Sequence, residues 1–180
     1  MNAIVKNKKQ NTMTGVNLIL LITTTLTGLS AGLLYAYACS VNLGLGRLPD
    51  REYLAAMQSI NKEILNPVFF AGFFGALILL PVSTYLNYGQ PLSSRFIFLL
   101  VATLIYVIGV FGVTSLGNVP LNNILAGVNL QSTSPAEITK LRINFEVPWN
   151  RLHGIRTIAS IVSLVLVILA CLNKAEVASK

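Results

Sequence analysis

The run "FIFLLVATLIYVIGVFGVTSLG", from Phe96 to Gly117, carries no charged side chain from end to end. It is longer than the roughly 20 apolar residues that a helix needs to cross a hydrocarbon core about 30 Å thick. In lipid every backbone N–H and C=O must be bonded within the segment, so such a run reads as a transmembrane helix. Three more stretches have the same character: about Val16–Val41, Pro67–Leu86 and Leu152–Leu172. The expected architecture is all-α, an integral membrane four-helix bundle.

Composition points the same way. Hydrophobic residues make up 54% of the chain and charged residues 11%, with a mean hydropathy of +0.70. A small soluble domain needs far more charge to cover its surface. The formal charge of +7 does not gather into a contiguous basic patch that could track a phosphate backbone, so nucleic acid is excluded as a partner. Lipid is the expected surrounding, and a homo-oligomer is left open.

At 180 residues the length suits one domain. Residues 1–15 are expected as a short basic tail, 16–172 as the transmembrane domain and 173–180 as a second tail. The N-terminus has a basic region, but its apolar run is too long for a signal peptide and no small-residue cleavage site is evident. It reads as an uncleaved first span. With four spans, both termini and the Asn87–Arg95 loop share one side. Lys6, Lys8, Lys9, Arg95, Lys174 and Lys180 on that side balance Arg47, Arg51, Lys62, Lys140, Arg142 and Arg151 on the other. The three lysines just before the first span tip the expectation toward cytoplasmic termini, in a bacterial inner membrane. Cys39 and Cys171 then fall at opposite ends, too far apart for a disulfide. They form no metal motif, and neither a metal nor another cofactor is expected.

Two connections have helical patterns of their own. Residues 50–65 open on Asp50 as an N-cap and put Tyr53, Met57, Ile60 and Ile64 on one face. Residues 135–147 follow Ser134, Pro135 and Glu137, a capping box with proline at the first helical position. Their apolar stripe is Ile138, Leu141 and Phe145. Both lie on one side of the membrane and are expected to cap the bundle there, at what would be its outer face. Pro148 predicts a break before Trp149, and Pro81 a bend in the second span. The stretch "NVPLNNILAGVNLQSTS" is long and rich in turn formers for a connection. Small residues recur at Gly28, Gly32, Ala36 and Ser40, and again as Ala71 with Gly75 and Gly72 with Ala76. They predict close helix packing, since lipid supplies no hydrophobic drive between helices.

The polar residues are distributed unevenly. The capped face receives Tyr35, Tyr37 and Asn42 from the first span, and Glu63 and Asn66 ahead of the second. Asn118, Asn122 and Asn123 come after the third, and Asn150, His153 and Arg156 open the fourth. Trp149, His153 and Arg156 fall four and three apart, on one helical face. A charge one turn inside a span needs an interior partner or interfacial water, and Glu63 is the acid nearest the start of the second span. It is therefore the expected partner of Arg156. Singly, these residues have plainer explanations: snorkelling for Arg156, interfacial anchoring for Trp149, a satisfied interior histidine for His153. Together they favour a site. One histidine and one nearby glutamate fall short of a metal ligand set.

"LPDREYLAAMQSINKEILNPVF" (Leu48–Phe69), "NVPLNN" (Asn118–Asn123) and "PWNRLHGIRT" (Pro148–Thr157), in this order among four spans, resemble the anthrone oxygenase-like family of small membrane proteins. The resemblance runs from about Val16 to Leu172. It implies oxidation of an anthrone-type polyketide by O₂ to an anthraquinone, with no established cofactor. On that reading His153, assisted or replaced by Glu63, is the base. Arg156, Asn150 and Asn122 are donors to an enolate oxygen, Trp149 and Tyr35 are walls, and Asn118 and Asn66 complete the substrate-binding set. Two other classes stay open: a non-catalytic binder of a quinone, lipid or pigment, and a structural or accessory membrane protein. A transporter is disfavoured, because four spans show neither an inverted repeat nor a central charge pair.

Overall fold

The computed structural model describes residues 14–173, all of whose regular structure is helical. Five helices run in order: α1 (Gly15–Leu45), α2 (Asp50–Glu63), α3 (Pro67–Leu86), α4 (Ser94–Ala126) and α5 (Pro135–Leu172). Helices α1, α3, α4 and α5 are long and apolar enough to cross a membrane. Their many exposed large apolar side chains, such as Leu29, Ile78, Ile108 and Ile158, suit a lipid surround. The chain is an integral membrane protein built on a four-helix bundle.

Local chemistry sets where the long helices begin. Thr14 Oγ1 accepts from Asn17 N–H at 3.3 Å, Asn66 Oδ1 from Phe69 N–H at 3.0 Å, and Ser93 Oγ from Phe96 N–H at 3.2 Å. At α5 the capping box forms both ways. Glu137 N–H donates to Ser134 Oγ at 3.4 Å, and Ser134 N–H donates to Glu137 Oε2 at 3.0 Å. Each cap satisfies one of the amide groups that a helix start leaves without a partner.

Four local expectations need correction. Pro148 does not break the chain, because α5 runs through it as one helix of 38 residues. A mid-helix proline costs about 3 kcal/mol or more. Here Phe145, Trp149 and His153 stack as successive rings on one face, and that stack requires unbroken helical register. The residues after Asn118 are not a loop either: Val119–Ala126 continues α4, with Pro120 tolerated in the first turn of that segment. Asp50 is the first residue of α2 rather than its cap; its carboxylate reaches across to α5 instead. Finally, the small-residue stripe of α1 is only partly inward, since Gly32, Ala36 and Ser40 are exposed. The closest approaches use Gly109 and Gly75, the latter from the small-residue pair expected in the second span. A Cβ at Gly109 would stand 2.7 Å from Ala159 Cβ, and one at Gly75 2.6 Å from Leu26 Cδ1. Pro81 lies inside α3 without ending it. The basic N-terminal residues and the last seven residues lie outside the described range.

Two packed cores result. One fills the bundle, with Leu20, Phe73, Leu80, Leu99, Tyr106 and Val167 at its centre. The other lies beneath α2, where Tyr53, Leu54 and Met57 meet Leu125, Ile138, Phe145 and Trp149. The cap is tied down by Arg142 on the extension of α5. Its Nη1 donates to the Leu48 carbonyl at 2.6 Å and to Asp50 Oδ1 at 3.0 Å, its Nη2 to the Gly46 carbonyl at 2.9 Å, and its Nε to Glu146 Oε2 at 2.8 Å. The guanidinium also lies over the Tyr53 ring, 4.5 Å from its centroid. Thr139 Oγ1 donates to Asp50 Oδ2 at 2.6 Å. That bond first, and Arg142 second, holds the Asp50 carboxyl below its usual value. At the other end of the bundle Thr24 Oγ1 lies 3.3 Å from Cys171 Sγ, so the start of α1 and the end of α5 share the uncapped face.

Candidate functional site

Under the cap, where α2 leans over the ends of α1, α4 and the middle of α5, lies a cavity of about 570 Å³. Small-molecule sites fall in the range of about 300–1,000 Å³. Its apolar side is made by Leu33 and Leu34 of α1, Ile60 of α2, Ile64 and Leu65 in the turn after it and Phe69 of α3. Its polar side comes from α4 and α5, with Thr114, Asn118, Asn122, His153 and Arg156.

The aromatic stack of α5 forms the back wall. Trp149 and His153 are nearly parallel, at 14° with centroids 5.1 Å apart, and Tyr37 packs against both at 5.5 and 5.3 Å. The Trp149 indole N–H donates to Asn122 Oδ1 at 2.8 Å, and Asn118 Nδ2 donates to the Trp149 carbonyl at 3.2 Å. Arg156 folds back along this wall. Its Nε donates to His153 Nδ1 at 3.1 Å, its Nη1 to Thr114 Oγ1 at 3.4 Å, and its Cζ lies 5.2 Å from the Trp149 ring centroid. A guanidinium can only donate, so His153 Nδ1 is the acceptor and a neutral ring carries its proton on Nε2, beside Thr157 Oγ1 at 3.4 Å.

Three of the α1 and α4 contributions sit at π-helical turns. Tyr37 opens the π segment of α1, and Thr114 and Asn118 bracket the second π segment of α4. A π turn inserts an extra residue and rotates the next turns of the helix away from their ideal phase. Tyr37, three residues after the buried Leu34, shares its helix face and lines the cavity, while Tyr35 stays 56% exposed.

Of the nine residues assigned to the expected site, Trp149, His153, Arg156, Asn118 and Asn122 meet at this cavity, joined by Tyr37 and Asn123 from the polar set of the capped face. Four others do not line it. Glu63 is exposed and makes no ion pair with Arg156; among the described residues the ion pairs are those of Arg142 with Asp50 and Glu146. The expected Glu63–Arg156 contact is thus absent, because α2 ends with Glu63 turned to the outside. Asn66 is consumed as the N-cap of α3, its Nδ2 donating to the Glu63 carbonyl at 2.8 Å. Tyr35 is replaced by Tyr37. Asn150 is half-buried next to the wall, with a buried Oδ1 that has no partner.

The cavity also gains residues that the sequence pattern did not single out: Thr114, Gln58, Asn61, Lys62 and Phe69. Gln58 Nε2 caps the end of α4 by donating to the Leu125 and Val128 carbonyls at 2.8 and 2.9 Å. Two buried polar atoms on the wall are unpartnered, Asn118 Oδ1 and Asn61 Nδ2. No group of three or more His, Cys, Asp or Glu that could hold a metal ion occurs among the described residues.

Comparison with known proteins agrees with this arrangement. No curated protein sequence and no solved structure matches the chain. Residues 67–166 match the family model described as anthrone oxygenase. That span exceeds half the chain and includes the α4 and α5 walls of the cavity. A four-span apolar bundle, a capped polar cavity and this match together place the chain in the anthrone oxygenase family.

Proposed function

We propose that the cavity under α2 is the active site of an oxygenase that converts an anthrone-type aromatic to the corresponding quinone. The observation that carries this reading is Arg156. It is a cation inside a membrane helix, with no carboxylate partner among the described residues, on the wall of a cavity with an apolar floor. Such a charge is costly in a span unless it serves an anion or a polar pathway.

The chemistry is balanced with O₂ alone. The anthrone CH₂ loses a proton and its electrons delocalise to the carbonyl oxygen as an enolate. The carbon then bonds to O₂, which takes up two electrons and a proton as a hydroperoxide. Loss of the second carbon-bound hydrogen with cleavage of the O–O bond leaves a carbonyl and one water. Arg156 and Asn122, which both line the cavity, are the donors to the enolate oxygen in this scheme, and preorganised donors are worth most in a site that excludes water. His153 Nδ1 is the base, exposed when the Arg156 Nε–H turns from it to the substrate oxygen. Trp149 and Tyr37 supply flat walls. Glu63, exposed and off the cavity lining, has no place in this scheme.

The termini are assigned to the cytoplasmic side of a bacterial inner membrane, on the strength of Lys6, Lys8 and Lys9 before the first span. The cavity then opens toward the outer half of the bilayer.

Turnover tests the proposal. Purified protein in detergent is given a hydroxyanthrone under air, and the quinone is followed by visible absorbance. The expected result is a rate well above protein-free autoxidation, lost in His153→Ala and Arg156→Ala while far-ultraviolet circular dichroism is retained. A wild-type rate equal to autoxidation would sink it.

A further inference from the structure

We propose that the cavity is an anion receptor: it holds planar hydroxyaromatic ligands in ionised form, with the anionic oxygen as the counter-ion of Arg156 and a second ligand O–H donating to Asn118 Oδ1. This rests on the reading above and narrows it, naming the charge state and the substituent pattern of what binds.

Three features of the cavity lead to it. The first is charge. Arg156 and Lys62 both line the cavity, and among the described residues no Asp or Glu does. Arg156 Nη2 makes no hydrogen bond among the described residues, while Nε and Nη1 are held by His153 and Thr114. The remaining titratable groups that face the guanidinium are His153 on its own helix and Tyr37 from α1. The Tyr37 hydroxyl donates to Met57 Sδ at 3.3 Å, so it is directed to the cap core. Neither group supplies a negative charge as a neutral side chain.

The second feature is an unused acceptor. Asn118 is 1% exposed, and its amide cannot be turned the other way without losing the bond from Nδ2 to the Trp149 carbonyl. Its Oδ1 is therefore a buried acceptor with no donor. A buried acceptor left unpaired costs about 1–3 kcal/mol, and a ligand hydroxyl removes that penalty. The third is shape. Ile60, Leu65 and Phe69 line the cavity together with Tyr37 and Trp149, a lining that suits an apolar aromatic frame better than a sugar.

An acceptor and a cation on one wall ask for an anionic oxygen and an O–H on one planar frame. A neutral aromatic without a hydroxyl would satisfy neither. Proximity to a cation lowers the ionisation midpoint of an acid by about one to three pH units when the two lie within about 4–6 Å.

Alizarin is the probe, because it is a planar hydroxyanthraquinone whose colour reports its ionisation and which has no CH₂ to oxidise. It is titrated against pH in detergent micelles with and without the full-length protein. The expected result is saturable binding, with the midpoint of the bound dye about one to three pH units below that in micelles alone. Arg156→Gln returns the midpoint to the micelle value. Arg156→Lys, which keeps the charge, retains most of the shift and shows that the loss in Arg156→Gln is electrostatic. Asn118→Leu leaves the midpoint low but weakens binding about tenfold, the equivalent of one lost hydrogen bond. An unshifted midpoint, a shift that survives Arg156→Gln, or no saturable binding overturns the proposal. Anthrone turnover with an unshifted dye would remove the anion receptor and leave the oxygenase reading intact. A shifted dye without turnover would do the opposite.

Discussion

Toward the termini, the interior of the bundle is lined with hydroxyls. Thr23 Oγ1 lies 2.7 Å from Ser83 Oγ, Thr84 Oγ1 lies 2.8 Å from Thr103 Oγ1, and Ser163 Oγ donates to the Ala102 carbonyl at 2.9 Å. The carbonyl four residues back also lies within reach of Thr23, Thr84 and Thr103, so in each hydroxyl pair one O–H donates to the other hydroxyl and the second can donate to a carbonyl. Each buried hydroxyl there has a partner. Arg95 is the exception in that half, with Nη2 donating to Asn17 Oδ1 at 2.9 Å and Nε unpartnered among the described residues. Under the cap the interior is as polar, yet Asn118 Oδ1 and Asn61 Nδ2 are unpartnered and Arg156 has no counter-ion among the described residues. Buried polarity alone therefore does not mark a site. What distinguishes the capped half is hydrogen-bonding and charge capacity left unused beside a void large enough for a ligand.

Breaking the charge in the capped half should have the largest effect. Arg156→Gln is expected to lower turnover by about 100- to 1,000-fold, the usual result of removing one preorganised donor, with helix content unchanged by circular dichroism. If activity survived within a factor of a few, the two halves would not differ in function.

Arg142→Met is next. It removes the tie between α2 and α5, and leaves Asp50, Glu146 and two carbonyls without their donor. A loss of about 1–3 kcal/mol is expected in chemical denaturation, discounted because Asp50 is partly solvated. Ligand affinity should fall with it, since α2 forms one side of the cavity.

Asn118→Leu tests the contrast most directly. Its polar atoms are only half used, so stability should change by no more than about 1 kcal/mol while ligand binding weakens about tenfold. In the other half the pattern should invert. The double substitution Thr23→Val with Ser83→Ala removes both members of a satisfied pair and should leave turnover unaltered, with a stability change within about 1 kcal/mol. A large activity loss in that variant would show that the hydroxyl-lined half takes part in the chemistry.

The smallest effect concerns pH. The Asp50 carboxyl is held below its usual value by Thr139 and then by Arg142. Its contribution to cap docking is therefore fully present above the unfolded value, about 3.9. It is lost as pH falls through the lower folded value. Hydrogen exchange in α2 should rise below about pH 4 in wild type, and this rise should be absent in Asp50→Asn.

How far the sequence reached can be judged from particular residues. The four spans were legible because lipid forbids unsatisfied backbone over about 20 residues. The capping box at Ser134 and Glu137 was legible because it is a local exchange between residues three apart. Trp149, His153 and Arg156 were legible as a group because helical spacing puts them on one face. The helix through Pro148 was missed, since ring stacking and cap docking outweighed the local penalty. Tyr37 rather than Tyr35 lines the cavity because it shares a face with Leu34, and only the packing of α1 shows which face turns inward. Glu63 was placed beside Arg156 by nearness to the span, but the end of α2 turns it outward. Only the i,i+4 spacing of Arg142 with Glu146 was local; its other partners, Gly46, Leu48 and Asp50, lie more than 90 residues away in the chain, so its role as the tie of the cap had no local signal.

The sequence alone determined that this is a four-span membrane bundle with a polar, capped end, because length, apolarity and period are local properties that the bilayer enforces. Only the tertiary structure decided which polar atoms are left over. That outcome is a balance of partners across five helices: Asn66 is used up at a helix start, the Asn122 oxygen by the indole and the hydroxyls by one another or by backbone carbonyls. Arg156 and Asn118 keep capacity facing the void.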